Sequence, residues 1–289
     1  DDIPSFIERI QGGVSYFEGR LNSHFDTTTD FRDAIGDDPY DNSNPYYGNN
    51  DVNGPDQKKK DAKHGTHVAG IIAAQRDNGI GMNGVAQNVQ IMAVRAVPDG
   101  DEYDKDVALG IRYAVDNGAK IINTSFGKGY SPNRKWVYDA IKYAAKKDVL
   151  IVNAAGNDGK DIDVTKTYPN DSEDLVNEIS DNVLTIGAMS LHYDEKLPAN
   201  FSNFGKTNVD VFAPGVDIYA TMPKDKYTPN SGTSMAAPST AGVAALVRSY
   251  YPKLSASQVI HILMNYGLKI NFTVIKPAHQ SIANPNEER

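Results

Sequence analysis

The sequence predicts an α/β fold: a three-layer sandwich with a mostly parallel central sheet. Three observations carry this. From about residue 64 onward, helix and strand patterns alternate along the chain. The strand-length runs are continuously apolar rather than alternating, as in strands covered on both faces. The stretches between them are long enough and helically spaced enough to be the crossovers that parallel strands require.

The elements follow in order. "IPSFIERIQGGVSYFEGRL" (3–21) reads as a helix interrupted at Gly12-Gly13, and "DDPYDNSNPYYGNNDVNGPDQKKKD" (37–61) is loop by its Pro, Gly, Asn and Asp content. "HVAGIIAA" (67–74) is a small-residue helix, and "VQIMAVRAV" (89–97) an apolar run of strand length. Residues 104–120 have helical spacing at Val107, Ile111, Ala114 and Val115, with Gly118 placed as a C-cap. "KIINTS" (120–125) is a strand, "WVYDAIKYAAKKD" (136–148) a helix and "VLIVNAAGN" (149–157) a strand. Strands at 183–188 and 209–215 precede helices at 234–251 and 255–267, the second with Ser255 as N-cap. No internal repeat or domain-scale linker interrupts this. The chain is therefore expected to be one domain over 1–289: an insert-like helical and loop segment at 1–61, a core at 62–267, and an extension at 268–289 whose polar end (277–289) belongs at the surface.

Composition excludes several function classes. A net charge of −8 lacks the basic face that nucleic acid demands, and the one basic run, Lys58-Lys59-Lys60, sits in a polar loop. With no cysteine there is no disulfide, thiolate metal site or cysteine nucleophile. No apolar run reaches membrane-span length. The chain opens on Asp1 rather than Met, so a mature or trimmed form is expected, with a targeting segment removed.

Four short stretches carry chemistry. In "NSGTSMAAPSTAGVAAL" (230–246), Ser234 opens a long helix, where its own N–H is unpaired and the helix dipole favours negative charge. That suits a nucleophile whose attack creates an oxyanion, although an isolated Gly-Thr-Ser is more often just an N-cap. Pro238 is expected in the first turn, where a missing N–H costs little. In "VLIVNAAGNDG" (149–159), Ala154, Ala155 and Gly156 end a strand with tiny residues, and Asn157 offers a side-chain N–H donor, though alone it reads as a turn residue. Ser125, Phe126 and Gly127 end another strand. In "HGTHVAG", His64 at the helix start can face a cleft and act as a base near neutral pH, while His67, one turn further in, reads as a structural core histidine.

Together, and in this order, the stretches "HGTHVAG", "SFG", "AAGN" and "SGTSMAAP" resemble the subtilisin-like serine proteases, the subtilases. The resemblance runs from about residue 62 to 267. It implies a subtilisin-like fold and a serine endopeptidase in which His64 is the general base, Ser234 the nucleophile and Asn157 the oxyanion donor. It further implies that Ser125, Phe126 and Gly127 pair with the substrate backbone and, with Ala154, Ala155 and Gly156, line the primary specificity pocket. The implied partners are a peptide or protein substrate and its own propeptide or a further N-terminal segment. The expected location is outside the cytoplasm, secreted or at the cell envelope.

One departure is serious. The family's aspartate ends an apolar strand in an Asp-Thr-Gly or Asp-Ser-Gly setting. No aspartate among residues 1–63 follows a four-residue apolar run, and none precedes Thr-Gly or Ser-Gly. The position of the catalytic aspartate is therefore unknown. Three explanations compete: the strand lies outside the 289 residues, which the insert-like character of 1–60 favours; the protein is a catalytically silent peptide-binding homologue; or another acid within 1–63 serves. No cofactor is expected. Subtilases often bind calcium in surface loops, but the corresponding "QRDNGIGMNG" (75–84) carries Arg76 and a single carboxylate, Asp77, where calcium wants six to eight oxygens. Three aspartates in "GNDGKDIDVTK" (156–166) read either as a solvated loop or as a bias toward basic substrates.

Overall fold

Continuous apolar runs make the centre of the structure. In this computed structural model, β1 (Ile121–Thr124), β2 (Leu150–Ala154), β3 (Val183–Met189) and β4 (Val211–Pro214) pair in that order, every pair parallel. The structure describes residues 62–97 and 102–277, with positions 3, 7, 10, 11, 13, 14, 17, 18, 21, 32, 36–44 and 47–53 of the N-terminal part. The polar end at 278–289, the lysine run 58–60 and Gly12 lie outside these residues.

Alternation along each strand sorts side chains into two cores. Val149 and Ile151 share one with Val107 and Ile111 of α2 (Asp104–Asp116) and Val137 and Ile141 of α3 (Arg134–Lys146). Leu150 and Val152 share the other with Ala236, Ala237 and Ala241 of α4 (Thr233–Tyr250) and Val259 and Ile260 of α5 (Ala256–Tyr266). The sheet is thus covered on both faces, the expected three layers. The alanines of α4 let its axis lie close to the strands. Two cap expectations hold: Gly118 follows α2 with φ +88°, and Ser255 forms a capping box with Gln258.

Helix α1 (Lys63–Ala73), which begins before the expected position 67, packs on α4 and on an antiparallel hairpin of β5 (Ile218–Met222) and β6 (Lys226–Asn230). Thr221 Oγ1 donates to Thr66 O (2.8 Å), and Gly70 lies against that threonine. The sequence pattern gave no sign of this hairpin. Its turn uses Lys224 and Asp225 at φ +64° and +54° rather than a glycine, and Pro229 interrupts the strand pattern.

One expected strand is absent. Residues 89–97 pair with no strand among the described residues, the Ala96 N–H bonds back to Val94 O (3.1 Å), and Ile91, Met92 and Val94 are exposed. A strand exists only through a partner's ladder, and none lies alongside. The described positions of 3–21 are all helical, Gly13 included. Further along, Arg32 pairs with Asp37 (2.5 Å) and with Asp106, Tyr47 donates its hydroxyl to Asp106, and Lys105 pairs with Asp37. This buried ion-pair network joins the segment around 32–47 to the first turn of α2. Removing one partner would strand a buried charge, which is where such networks are costly to break.

Candidate active site

Ser234 is the second residue of α4, following Gly232 and Thr233. Its N–H is among the first-turn donors that a helix leaves unpaired. Thr233 sets the geometry next to it. The Thr233 N–H and hydroxyl both donate to Asn157 Oδ1 (2.8 and 2.9 Å), and the Gly156 N–H donates to Thr233 Oγ1 (3.1 Å). A backbone N–H requires an acceptor, so these bonds fix which end of the Asn157 amide is oxygen and turn its NH₂ the other way. A methyl group on Gly232 would lie 3.4 Å from Asn157 Nδ2 and 3.6 Å from Ser234 N. The Asn157 amide, its Oδ1 at 3.7 Å included, and the Ser234 nitrogen therefore both lie close to Gly232.

Ser125 meets Ser234 directly. Ser234 Oγ donates to Ser125 O (3.2 Å), and Ser125 Oγ donates to Ser234 O (2.9 Å). The second bond corrects the expectation for Pro238. It is the sixth residue of α4, beyond the first turn, so its missing N–H leaves the Ser234 carbonyl without its helical donor. The Ser125 hydroxyl takes that place.

His64 is exposed on α1 and has no side-chain hydrogen bond among the described residues. Desolvation by the surrounding protein, then the proximity of His67, lowers its pKa below the ordinary imidazole value. His64, Val68 and Ile71 share one face of α1, at spacings of four and three. Ile71 packs with Met235, the neighbour of Ser234, and Val68 lies against that cluster. The histidine face of α1 is thus turned to the first turn of α4, without a direct bond between His64 and Ser234. His67 is fully buried and its Nε2 bonds Thr228 O (3.0 Å), the structural role expected of it.

The remaining expected residues divide. The Phe126 side chain packs into the core beside α2 and α3. The Gly127 N–H is held by Glu102 Oε1 (3.0 Å). Ala154 is half-buried against the core. Ala155 packs on Ile162 and Val209, and both its backbone groups are engaged, N–H to Ile186 O (3.0 Å) and carbonyl to Asn203 Nδ2 (2.8 Å). Of the three aspartates at 156–166, Asp163 accepts from the N–H groups of Lys206, Thr207 and Asn208. Burial alone would raise its pKa, but those donors outweigh it and the net shift is downward. At 75–84, the Arg76 guanidinium donates to Gly84 O (2.6 Å), filling a carbonyl that a cation would need.

Sequence reasoning missed Thr233, which orients Asn157, and Asn203, which holds the loop around it. Thr233 stood in plain view inside "SGTSM". Asn203 carried no local signal, because its partners lie more than 40 residues away.

Comparison with known proteins identifies the family. The Subtilase family profile matches residues 16–273, further toward the N-terminus than the motifs reach. The chain is 39% identical over 236 residues to the "Cell wall-associated protease" of Bacillus subtilis, a match covering 81% of this chain and 24% of that protein. It is 40% identical over 198 residues to "Subtilisin DY" of Bacillus licheniformis, covering 68% of this chain and 67% of that one. Among solved structures, proteases from Pseudoalteromonas arctica superpose with a TM-score of 0.63 at 29% identity, over 74% of this chain and 67% of theirs. With the parallel sheet, the helix-borne serine and these matches in hand, the chain belongs to the subtilase family.

Proposed function

We propose that this chain is a serine endopeptidase that hydrolyses peptide bonds through an acyl-enzyme on Ser234. His64, kept neutral at neutral pH by its lowered pKa, takes the hydroxyl proton as Ser234 Oγ leaves Ser125 O and attacks the scissile carbonyl. The tetrahedral oxyanion accepts from Asn157 Nδ2 and the Ser234 N–H. His64 then protonates the leaving amine, and water releases the acyl group by the reverse sequence. An extended substrate backbone lies along Ser125–Gly127, and its side chain enters the pocket beside Ala154–Gly156. The acid that orients His64 comes from a strand outside residues 1–289. The substrate is a peptide or protein.

The observation that supports this best is the pair of bonds from the Thr233 N–H and hydroxyl to Asn157 Oδ1 (2.8 and 2.9 Å), which hold the Asn157 amide at the N-terminus of α4 beside Ser234. Its test is Asn157→Leu. Removing one oxyanion donor should lower kcat by about 10²–10³ with little change in KM. A rise in KM with kcat intact would make Asn157 a binding or turn residue instead.

A further inference from the structure

We propose that Asn203 is the positioning residue for the oxyanion-binding loop; this rests on the reading of Asn157 as the oxyanion donor. Asn203 is fully buried. Its Nδ2 donates to Ala155 O (2.8 Å), and its Oδ1 accepts from the N–H groups of Asp158 (3.1 Å) and Lys160 (2.9 Å). Its own N–H donates to Gly156 O (2.8 Å). These four bonds reach both sides of Asn157 in the chain without touching it. The amide orientation is determined, since one end faces a carbonyl and the other faces two N–H groups.

The fit explains the glycine before Asn157. Gly156 has φ +104°, and a Cβ there would lie 2.4 Å from Asn203 Nδ2. Only a residue with neither a Cβ nor an aversion to positive φ lets the loop rest on that amide. The neighbouring strand-like contacts, Gly159 N–H to Phe201 O (2.8 Å) and Phe204 N–H to Lys160 O (2.9 Å), hold the two segments side by side. They do not bond residues 155–158. The N–H groups of Ala155 and Gly156 bond Ile186 O (3.0 Å) and Thr233 Oγ1 (3.1 Å), and Asn203 holds the two carbonyls and the Asp158 N–H.

The division of labour is then complete. Thr233 fixes the amide orientation of Asn157, and Asn203 fixes where its backbone stands. Without the Asn203 side chain, the buried Ala155 carbonyl and the part-buried N–H groups of Asp158 and Lys160 lose their partners, and the loop relaxes to satisfy them with water. Catalytic geometry is intolerant of such shifts: a misplacement of about 1 Å costs up to about 10²-fold.

The test compares Asn203→Ala in the native and Asn157→Leu backgrounds, measuring kcat and KM on a chromogenic peptide. In the native background kcat should fall about ten- to a hundredfold with KM within about twofold, and in the Asn157→Leu background the second substitution should add nothing. A role in stability alone would act equally in both backgrounds, and that result overturns the proposal. If Asn157→Leu itself leaves kcat intact, the oxyanion reading fails instead, so the two failures are distinct. Should Asn203→Ala not fold, Asn203→Asp, which keeps both acceptor bonds, is read the same way. In a preparation without measurable turnover, the Asn157 side-chain amide resonances serve. They should shift or broaden in the Asn203 variant, and unchanged signals overturn the proposal.

Discussion

Pro238 and Ser125 show how one residue's defect becomes another's contact. A proline inside a helix costs about 3 kcal/mol, partly through the lost hydrogen bond. Here the orphaned carbonyl belongs to Ser234, and the Ser125 hydroxyl satisfies it at 2.9 Å. The tip of β1 is thereby tied to the first turn of α4. A second pair of residues makes a liability rather than a tie. Burial pushes the Asp171 carboxyl up to about 7, with Glu178 and Asp210 adding repulsion, and burial pushes Asp210 up to about 6, with Glu178 adding to it. The charged neighbours acting on them are acids. Both folded pKa values exceed the ordinary 3.8, so the native state binds more protons between those limits. The contribution of these two groups to stability is therefore greatest at or below about pH 4 and is lost as pH rises to about 7. Asp210→Asn retains an acceptor for the Thr185 N–H (2.7 Å) but removes the charge. Its expected effect is a gain of about 2 kcal/mol at pH 8 and almost none at pH 4, read from urea midpoints at the two pH values. An equal gain at both would show that the carboxylate is not a burden.

At the scale of elements, what the sequence revealed depended on how local the cause was. The helices at 104–116 and 256–266 and their caps were legible because periodicity, Gly118, Ser255 and Gln258 are all local signals. Strands 150–154 and 183–189 were legible because burial on both faces demands unbroken apolar runs. The hairpin 218–230 was not, since its register comes from packing on α1 rather than from its own turn residues. Of the site, the motif residues His64, Asn157 and Ser234 were visible, but the bonds that aim Asn157 come from Thr233 and Asn203, which only the fold brings near. The α1–α4 contact also reverses a local preference. An exposed helical Gly→Ala gains about 1 kcal/mol from propensity alone. At Gly65 of α1 nothing lies within 4 Å of an added Cβ, so Gly65→Ala should raise thermal stability by that amount. At Gly242 of α4 the added Cβ would lie 2.6 Å from Val85 Cβ, an atom fixed to its backbone. Overpacking of about 1–3 kcal/mol then exceeds the propensity gain, and Gly242→Ala should lower stability. A denaturation midpoint at or above that of the parent would mean α4 can move away from the 85–86 turn without penalty.

Over the whole molecule, the centre of the sheet is buried and both edge strands, β1 and β4, are partly exposed. Strands β2 and β3 are buried almost throughout, whereas Ile121, Ile122 and Asn123 of β1 are only half-buried. Asn123 Oδ1 is buried with no partner among the described residues, a cost of about 1–3 kcal/mol. The strand-patterned run at 91–97 lies under α2, with Val94 and Ala96 near Gly110, and exposes Ile91, Met92 and Val94. Among the described residues, no strand pairs with β1 on its outer side. An apolar strand ending in the family's aspartate, paired to β1, would carry that acid toward α1. The exposed His64 then gains the partner that fixes its tautomer and stabilises its imidazolium. In subtilisin, removing the aspartate alone lowers kcat by about 3 × 10⁴. The 289-residue chain is therefore expected to hydrolyse peptides about 10⁴-fold more slowly than the same chain extended upstream by its native segment, and to react slowly with a serine-directed fluorophosphonate until extended. Protection of the β1 amides from hydrogen exchange should rise in parallel, since they acquire a ladder partner. If the isolated chain cleaves at an ordinary protease rate, the acid lies within residues 1–63. If the extended protein is equally inert while its β1 amides become protected, the strand is present but carries no working acid, and the protein binds peptides without cutting them.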